Sequence, residues 1–384
     1  MENKNVGSRL WAFIKSEIVL CVASVLAVVS MFIVPPSKDY VEYIDFKVLA
    51  LLFCLMLVVA GFRSAGVFEK MLKVLTGLVK TTRQLVVVLV MICFVLSMWI
   101  TNDVALITFV PFAILVLGEI GQTKIMPFVI VMQTVAANLG SMCTPIGNPQ
   151  NLYLYTVSGM SIGDFVLLLL PYTIISLLLV FVSCFFVKSE PITAVKAGAD
   201  RNDSNAGGML KMSSRKYMII YLALFIFSML TVLHIVHYLV MLAVVSVVVL
   251  VVQPKLFKEA DYMLLITFVA FFVFVGNIKQ VDWVNSFLSS CVGGNEVVVS
   301  VVASQVISNV PAAVLLSGFT DNYAGLMIGT NIGGLGTIIA SMASLISYKL
   351  YAKTKESNIG RYMLLFTAIN VAFLAVLLLA AFII

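Results

Sequence analysis

Charge is scarce in this chain of 384 residues: Asp, Glu, Lys and Arg together make up 11%, and there are two histidines. A soluble domain carries about 25% charged residues, so a mostly water-facing surface is excluded. With so little histidine, the His-Glu-x-x-His helix of a metalloprotease is missing. His234 and His237 lie three residues apart with no Asp, Glu or Cys close in sequence, and read as residues of a membrane edge rather than metal ligands. Asp103 is the one aspartate well inside an apolar run, so the embedded pair of an intramembrane aspartyl protease is lacking, and a serine type would lack its general base. Five of the six cysteines, Cys21, Cys54, Cys93, Cys143 and Cys184, lie in apolar segments, where a thiol packs as a small hydrophobe. No disulfide framework, cofactor or nucleic-acid partner is expected.

What is abundant is apolar surface. Hydrophobic residues are 62% of the chain and the mean hydropathy is +1.11, which indicates a polytopic membrane protein. Apolar stretches run near 16–34, 45–62, 84–100, 104–117, 125–157, 165–187, 216–233, 237–252, 261–276, 296–307, 310–319, 325–349 and 362–384. The first follows Lys4, Arg9 and Lys15 but precedes no small-residue cleavage site, and reads as a retained helix. Spanning needs roughly 20 apolar residues, so 84–117 and 296–319 read as re-entrant helical hairpins, each turning at an Asn motif.

The chain says nearly the same thing twice. Asn138 to Ile146 (NLGSMCTPI) reappears as Asn331 to Ile339 (NIGGLGTII), and Thr101-Asn102 upstream of the first copy matches Ser308-Asn309 upstream of the second. Leu57 to Arg63 likewise resembles Phe272 to Lys279. Matched interruptions of apolar segments mark a transporter built from two repeats, with its site at the broken helices. Unwound backbone inside a membrane persists only where protein, water or ligand satisfies it. Glycines such as Gly140 and Gly333 let backbone approach a ligand, while Ser141, Thr144, Thr337 and the Asn amides supply neutral oxygens and N–H donors. Asn148, Gln150 and Asn151 follow the first break and could line a cavity. The bland alternative is that small and polar residues serve only close helix packing, but two matched pairs of motifs argue against it. Asp103 is either a helix cap or an ion or proton path.

Loop charge orients the chain. Arg63, Lys70, Lys73, Lys80 and Arg83 follow the second span, whereas Asp39, Glu42 and Asp45 precede it, which places the N-terminus in the cytoplasm and, with it, Lys255, Lys258, Lys349 and Lys353. The expected organisation is a first repeat with an N-terminal helix over 1–187, a cytoplasmic linker over 188–215, a connecting helix over 216–236 and a second, inverted repeat over 237–384.

Thr101 to Leu106, Asn138 to Asn151, Ser308 to Pro311 and Asn331 to Thr337 together resemble the ion transporter superfamily, which holds divalent anion/sodium symporters, citrate carriers, arsenite efflux pumps and one group of Na+/H+ antiporters. The resemblance covers nearly the whole chain. It implies an all-α inverted-repeat carrier in the cytoplasmic (inner) membrane, not an enzyme, moving a small anion with Na+ or H+ as coupling ion. Cation sites are implied at Thr101, Asn102, Asp103, Asn138 and Gly140, and at Ser308, Asn309, Asn331 and Gly333. Substrate contacts are expected from Asn102, Thr144, Asn148, Asn151, Asn309 and Thr337. Where the symporters have Thr at the third tip position, this chain has Asp103 and Val310. A Na+/H+ antiporter, an arsenite carrier and, more remotely, a channel stay open, and a homodimer is compatible with the architecture.

Overall fold

The computed structural model describes residues 17–38, 40–67, 79–192, 214–233, 235–355 and 357–384. Lys4, Arg9, Lys15, Asp39, Lys70, Lys73, His234 and the linker from 193 to 213 lie outside the described residues. Among the described residues the fold is all-α, with one isolated bridge between Thr81 and Pro191. Its main helices are α1 (Ile18–Ile33), α2 (Phe46–Ser64), α3 (Thr82–Leu96), α4 (Asn102–Glu119), α5 (Met126–Gly140), α6 (Pro149–Ser158), α7 (Ile162–Ser183), α8 (Ser214–Val232), α9 (Tyr238–Val252), α10 (Tyr262–Lys279), α11 (Asp282–Val292), α12 (Glu296–Ile307), α13 (Asn309–Leu316), α14 (Tyr323–Ile332), α15 (Met342–Ala352) and α16 (Ile359–Ile383). Seven spans are long and apolar enough to cross a membrane, or up to eight if the bent pair α11 and α12 counts as one. This is a multi-pass membrane protein.

Helix starts follow local chemistry. Asp45, Ser161, Asp261, Asn322 and Asn358 each accept a hydrogen bond from the backbone N–H three residues on, capping α2, α7, α10, α14 and α16. The expected spans are found within a few residues of their bounds. α11 was not expected: it is short and polar on one face, and it meets α12 at a bend of 109°.

The helices fall into two sets. In one, α2 packs on α8 and α9, and α1 lies along α10. In the other, α5 is enclosed by α3, α4, α7, α15 and α16. Gln133 of α5 donates to the carbonyls of Leu89 and Phe109, at 3.1 and 3.4 Å, tying both arms of the first hairpin at one level.

The two halves repeat each other's contacts. α3 packs on α5 as α12 packs on α14, and α4 packs on α15 as α13 packs on α6. Gly61 of α2 lies under the Tyr221 ring and Gly276 of α10 under the Tyr43 ring, so close that an added Cβ would sit 2.2 and 2.3 Å from ring carbons. That shared geometry is the physical content of the sequence match between these helices.

Candidate transport site

Each hairpin tip is pinned to the break of its own half by the same backbone bond. The Asn102 amide donates to the Gly147 carbonyl at 3.0 Å, and the Asn309 amide donates to the Ala340 carbonyl at 2.9 Å. The hydroxyl of Thr144 donates to the Met98 carbonyl, and that of Thr337 to the Gln305 carbonyl at 3.1 Å, again at matching positions. Chain reversal at each tip is thus anchored to unwound backbone.

The two breaks also hold one another. Asn138 Oδ1 accepts from Ser341 Oγ at 3.0 Å and Asn331 Oδ1 accepts from Asn148 Nδ2 at 3.1 Å, so each broken helix reaches across to the start of the other's second arm. Asn138 Oδ1 further accepts from Asn102 Nδ2 at 3.0 Å. Asn331 Nδ2 donates to Asn151 Oδ1 at 2.6 Å and to the Met327 carbonyl at 2.7 Å. All these side chains are buried. In a low-dielectric interior such a network is favourable only when nearly complete. Gln150 Oε1 and Ser344 Oγ are the buried exceptions next to it in sequence, each without a protein partner among the described residues.

Close approach is what Gly140 provides: a Cβ there would lie 2.1 Å from the Phe94 carbonyl oxygen, so α5 could not reach the end of α3. Ser308 adopts φ 75° and ψ 154°, a region close to glycine-only, while its hydroxyl makes only long contacts of 3.5 and 3.4 Å to Asn309 Oδ1 and the Ala340 carbonyl. Backbone held there costs of order 1–3 kcal/mol. Ser308→Gly is therefore expected to raise the unfolding free energy by about 1 kcal/mol, read as a higher melting temperature in detergent. A lower one would show that the hydroxyl contacts outweigh the strain.

A cavity of about 570 Å³ lies between the two helix sets. Leu52, Leu55, Met56 and Ala60 of α2 form one wall, Thr101, Asp103, Val104 and Ile107 of the first hairpin another, and Asn148, Pro149, Met342 and Ile346 are among the other lining residues. The exposed Arg63, Glu259 and Asp261 stand at one end as its mouth. Just before α1, Glu17 has its carboxyl pushed above the usual carboxylate range, by burial first and by Asp261 next, with Lys349 opposing. The first α4 amide after Asn102 is taken by Asn102 Oδ1 at 2.9 Å, and Thr101 makes no side-chain cap. Asp103 is thus not the cap of α4. Among the described residues its carboxyl group has no hydrogen-bond partner, and it lines the cavity.

Of the residues expected from the sequence, Thr101, Asp103 and Asn148 line this cavity, while Asn102, Asn138, Asn151 and Asn331, with Asn148, form the buried network, and Asn309 is buried at the second tip, bonded through its backbone amide to Ala340. Gly140, Gly333 and Ser308 act through backbone, Thr144 is spent on the Met98 carbonyl, and Thr337 is exposed away from the cavity. Glu259 and Asp261 at the mouth were not expected, because in sequence they look like ordinary loop charges. Gln305, whose contacts are given below, was also missed; a lone polar residue one turn before a hairpin tip was the available signal.

The described residues hold no cluster of three or more His, Cys, Asp or Glu able to hold a metal. An asymmetry matters more. α13 packs directly on α10, but its counterpart α4 makes no comparable contact with α2, and the cavity fills the gap. Where α4 carries Asp103, α13 carries the buried Val310. One end of the interface between the helix sets is closed, and the other is open.

Comparison with known proteins places this arrangement. The model of the CitMHS family, described as citrate transporter, matches residues 9–324. An uncharacterized transporter of Methanocaldococcus jannaschii is 29% identical over 351 residues, which is 90% of this chain and 91% of the relative. The inner membrane protein YbiR of Escherichia coli is 28% identical over 84% of each chain. A silicon efflux transporter of Oryza sativa is 32% identical over 37% of this chain and 29% of its own length.

Proposed function

This chain belongs to the CitMHS citrate transporter family, and from that premise we propose that it is a secondary carrier that moves a small anion, a carboxylate or inorganic oxyanion, across the cytoplasmic membrane by alternating access, coupled to H+ or Na+ at Asp103. The observation that carries this reading is the placement of Asp103 on a hairpin tip in a cavity between two helix sets that touch at one end and stand apart at the other. Closing the open end brings α4 against the apolar side chains of Leu52, Leu55 and Met56. An ionised carboxylate in that position costs several kcal/mol unless it is neutralised. A proton or cation at Asp103 removes the penalty, so closure follows loading and the empty, charged carrier stays open. The repeats are read as inverted across the bilayer, so that closing α4 on α2 accompanies release of α13 from α10.

The basic residues Arg63, Lys255 and Lys258 support, by the positive-inside bias, a mouth on the cytoplasmic side. The relative in Escherichia coli, named an inner membrane protein, supports the same membrane. A second reading is favoured by the lining itself: Asp103, Glu259 and Asp261 against the single Arg63 suit a solute that is uncharged or enters with its proton or cation. The silicon efflux relative fits that reading, as does export of a hydroxylated metalloid acid such as arsenite.

The test is flux into proteoliposomes under an imposed pH or Na+ gradient, with citrate and arsenite as probes. One gradient is expected to drive accumulation above the equilibrium level, with saturation and countertransport. Linear, non-saturating flux would indicate a pore and remove the carrier reading.

A further inference from the structure

Gln305 lies on α12, one turn ahead of the Ser308 tip, and its side chain enters the second break. Its Nε2 lies 2.9 Å from the Gly333 carbonyl oxygen, 2.9 Å from that of Leu335 and 3.2 Å from that of Val301, while its Oε1 accepts from the Thr337 amide at 2.8 Å. Gly336, with φ 103°, makes room for it: a Cβ there would lie 2.3 Å from Gln305 Oε1. Three main-chain oxygens converging on one point in the membrane form the kind of site a hard cation takes. Here the point is held by an amide nitrogen bonded to the chain.

The first break fills its carbonyls from its own chain rather than from the hairpin. The position matching Gln305 is Met98, because Thr144 bonds the Met98 carbonyl as Thr337 bonds the Gln305 carbonyl. The methionine side chain has no N–H to donate. The amide facing the Ser141, Met142 and Thr144 carbonyls, at 3.4, 3.2 and 3.4 Å, is instead that of Asn151, which belongs to the break's own second arm. In the second half Gln305 of the hairpin enters among the carbonyls of the break; in the first half the hairpin side chain reaches the break through Asn102 Nδ2 to Asn138 Oδ1, outside that carbonyl group, and the tip faces the cavity with Thr101 and Asp103.

We infer that Gln305 is an intramolecular substitute for a cation in the second break, satisfying its carbonyls and locking hairpin to break without an ion, so that ion coupling is confined to the first half. The inference rests on reading the breaks as the transport site. It also separates the two halves chemically: a proton or cation is exchanged beside Asp103, and the second half moves as a fixed unit whatever the ion.

The experiment uses the purified full chain in detergent, in NaCl against KCl at equal ionic strength. Hydrogen exchange of the segment 333–340 in the unmodified protein is expected to be the same in both salts, and Na+-specific protection there would overturn the inference. Gln305→Glu replaces the donor with a carboxylate among carbonyl oxygens, and is expected to acquire Na+-specific protection of the segment 333–340 that the unmodified protein lacks. Gln305→Ala is expected to lose protection at 333–340; protection equal to that of the unmodified protein would show that the amide holds nothing and would also overturn the inference. Should Gln305→Glu fail to fold, the exchange of the unmodified protein still decides. Failure of the carrier reading shows in flux and in Asp103 variants, whereas these measurements report only on the second break.

Discussion

Asp103→Asn is expected to flatten the dependence of transport on the coupling ion while the protein remains folded. The side chain has no hydrogen-bond partner among the described residues and lines an open cavity, so replacing it with an isosteric amide breaks no existing bond. What changes is the energy of the closed state. An ionised Asp at a helix centre in a membrane costs about 3 kcal/mol, which corresponds to roughly a hundredfold in the population of the closed form. In the unmodified protein the unloaded carrier is therefore expected to be held open. If the proton is the coupling ion, the sign is fixed: the carboxylate loses its proton as pH rises, and the rate of closure falls with it. The amide variant is expected to close without loading, so that exchange of substrate persists, accumulation against a gradient collapses, and the pH profile becomes level. Flux at several pH values, and with Na+ replaced by K+, reads all three. An unaltered profile with full accumulation would remove Asp103 from the coupling step.

Asn331→Leu is expected to have the largest effect on stability. Asn331 takes a bond from Asn148 and gives bonds to Asn151 and to the Met327 carbonyl, all in the buried region where the two broken helices meet. Leucine has the same branching and number of side-chain heavy atoms, though it is bulkier, and it offers no partner, so Asn151 Oδ1 loses its donor and Asn148 Nδ2 keeps only Ser141 Oγ, while Asn148 Oδ1 still accepts from the Asn151 backbone amide. Each buried polar group left unpaired costs about 1–3 kcal/mol, and the sum is expected to be about 3 kcal/mol of unfolding free energy, read from melting in detergent. Transport is expected to be lost with it, since the same bond fixes the position of Asn148 at the cavity wall. A loss below about 1 kcal/mol would mean that the cross-links between the breaks are replaced readily by water or by rearrangement. Asn138→Leu provides the matched comparison, because Asn138 occupies the equivalent place and accepts from Asn102 and Ser341.

The membrane class, the approximate spans, the paired breaks and the two hairpin tips were all legible in the residues. Each depends on a local property: long apolar runs force helices in a medium without water, and Gly, Asn and Thr interrupting such a run identify the places where helical bonding stops. The repeated motifs even placed Gly61 opposite Gly276 in the pairing of halves, which the tyrosine ring over each explains. α11 escaped because a short helix with a polar face has no long apolar run to announce it.

What the sequence determined by itself is therefore where the chain must break and which side chains stand at the breaks, since both follow from the cost of burying unpaired backbone. Only the tertiary structure decided what those side chains do. It assigned most of the Asn residues to bonds between the two breaks rather than to the cavity, spent Thr144 on a carbonyl, put an amide of Gln305 in the second break, and left the Asp103 carboxyl without a hydrogen-bond partner among the described residues in the open end of the interface. Those outcomes depend on which groups from distant segments come within 3 Å of one another. Spacing along the chain carries no record of that.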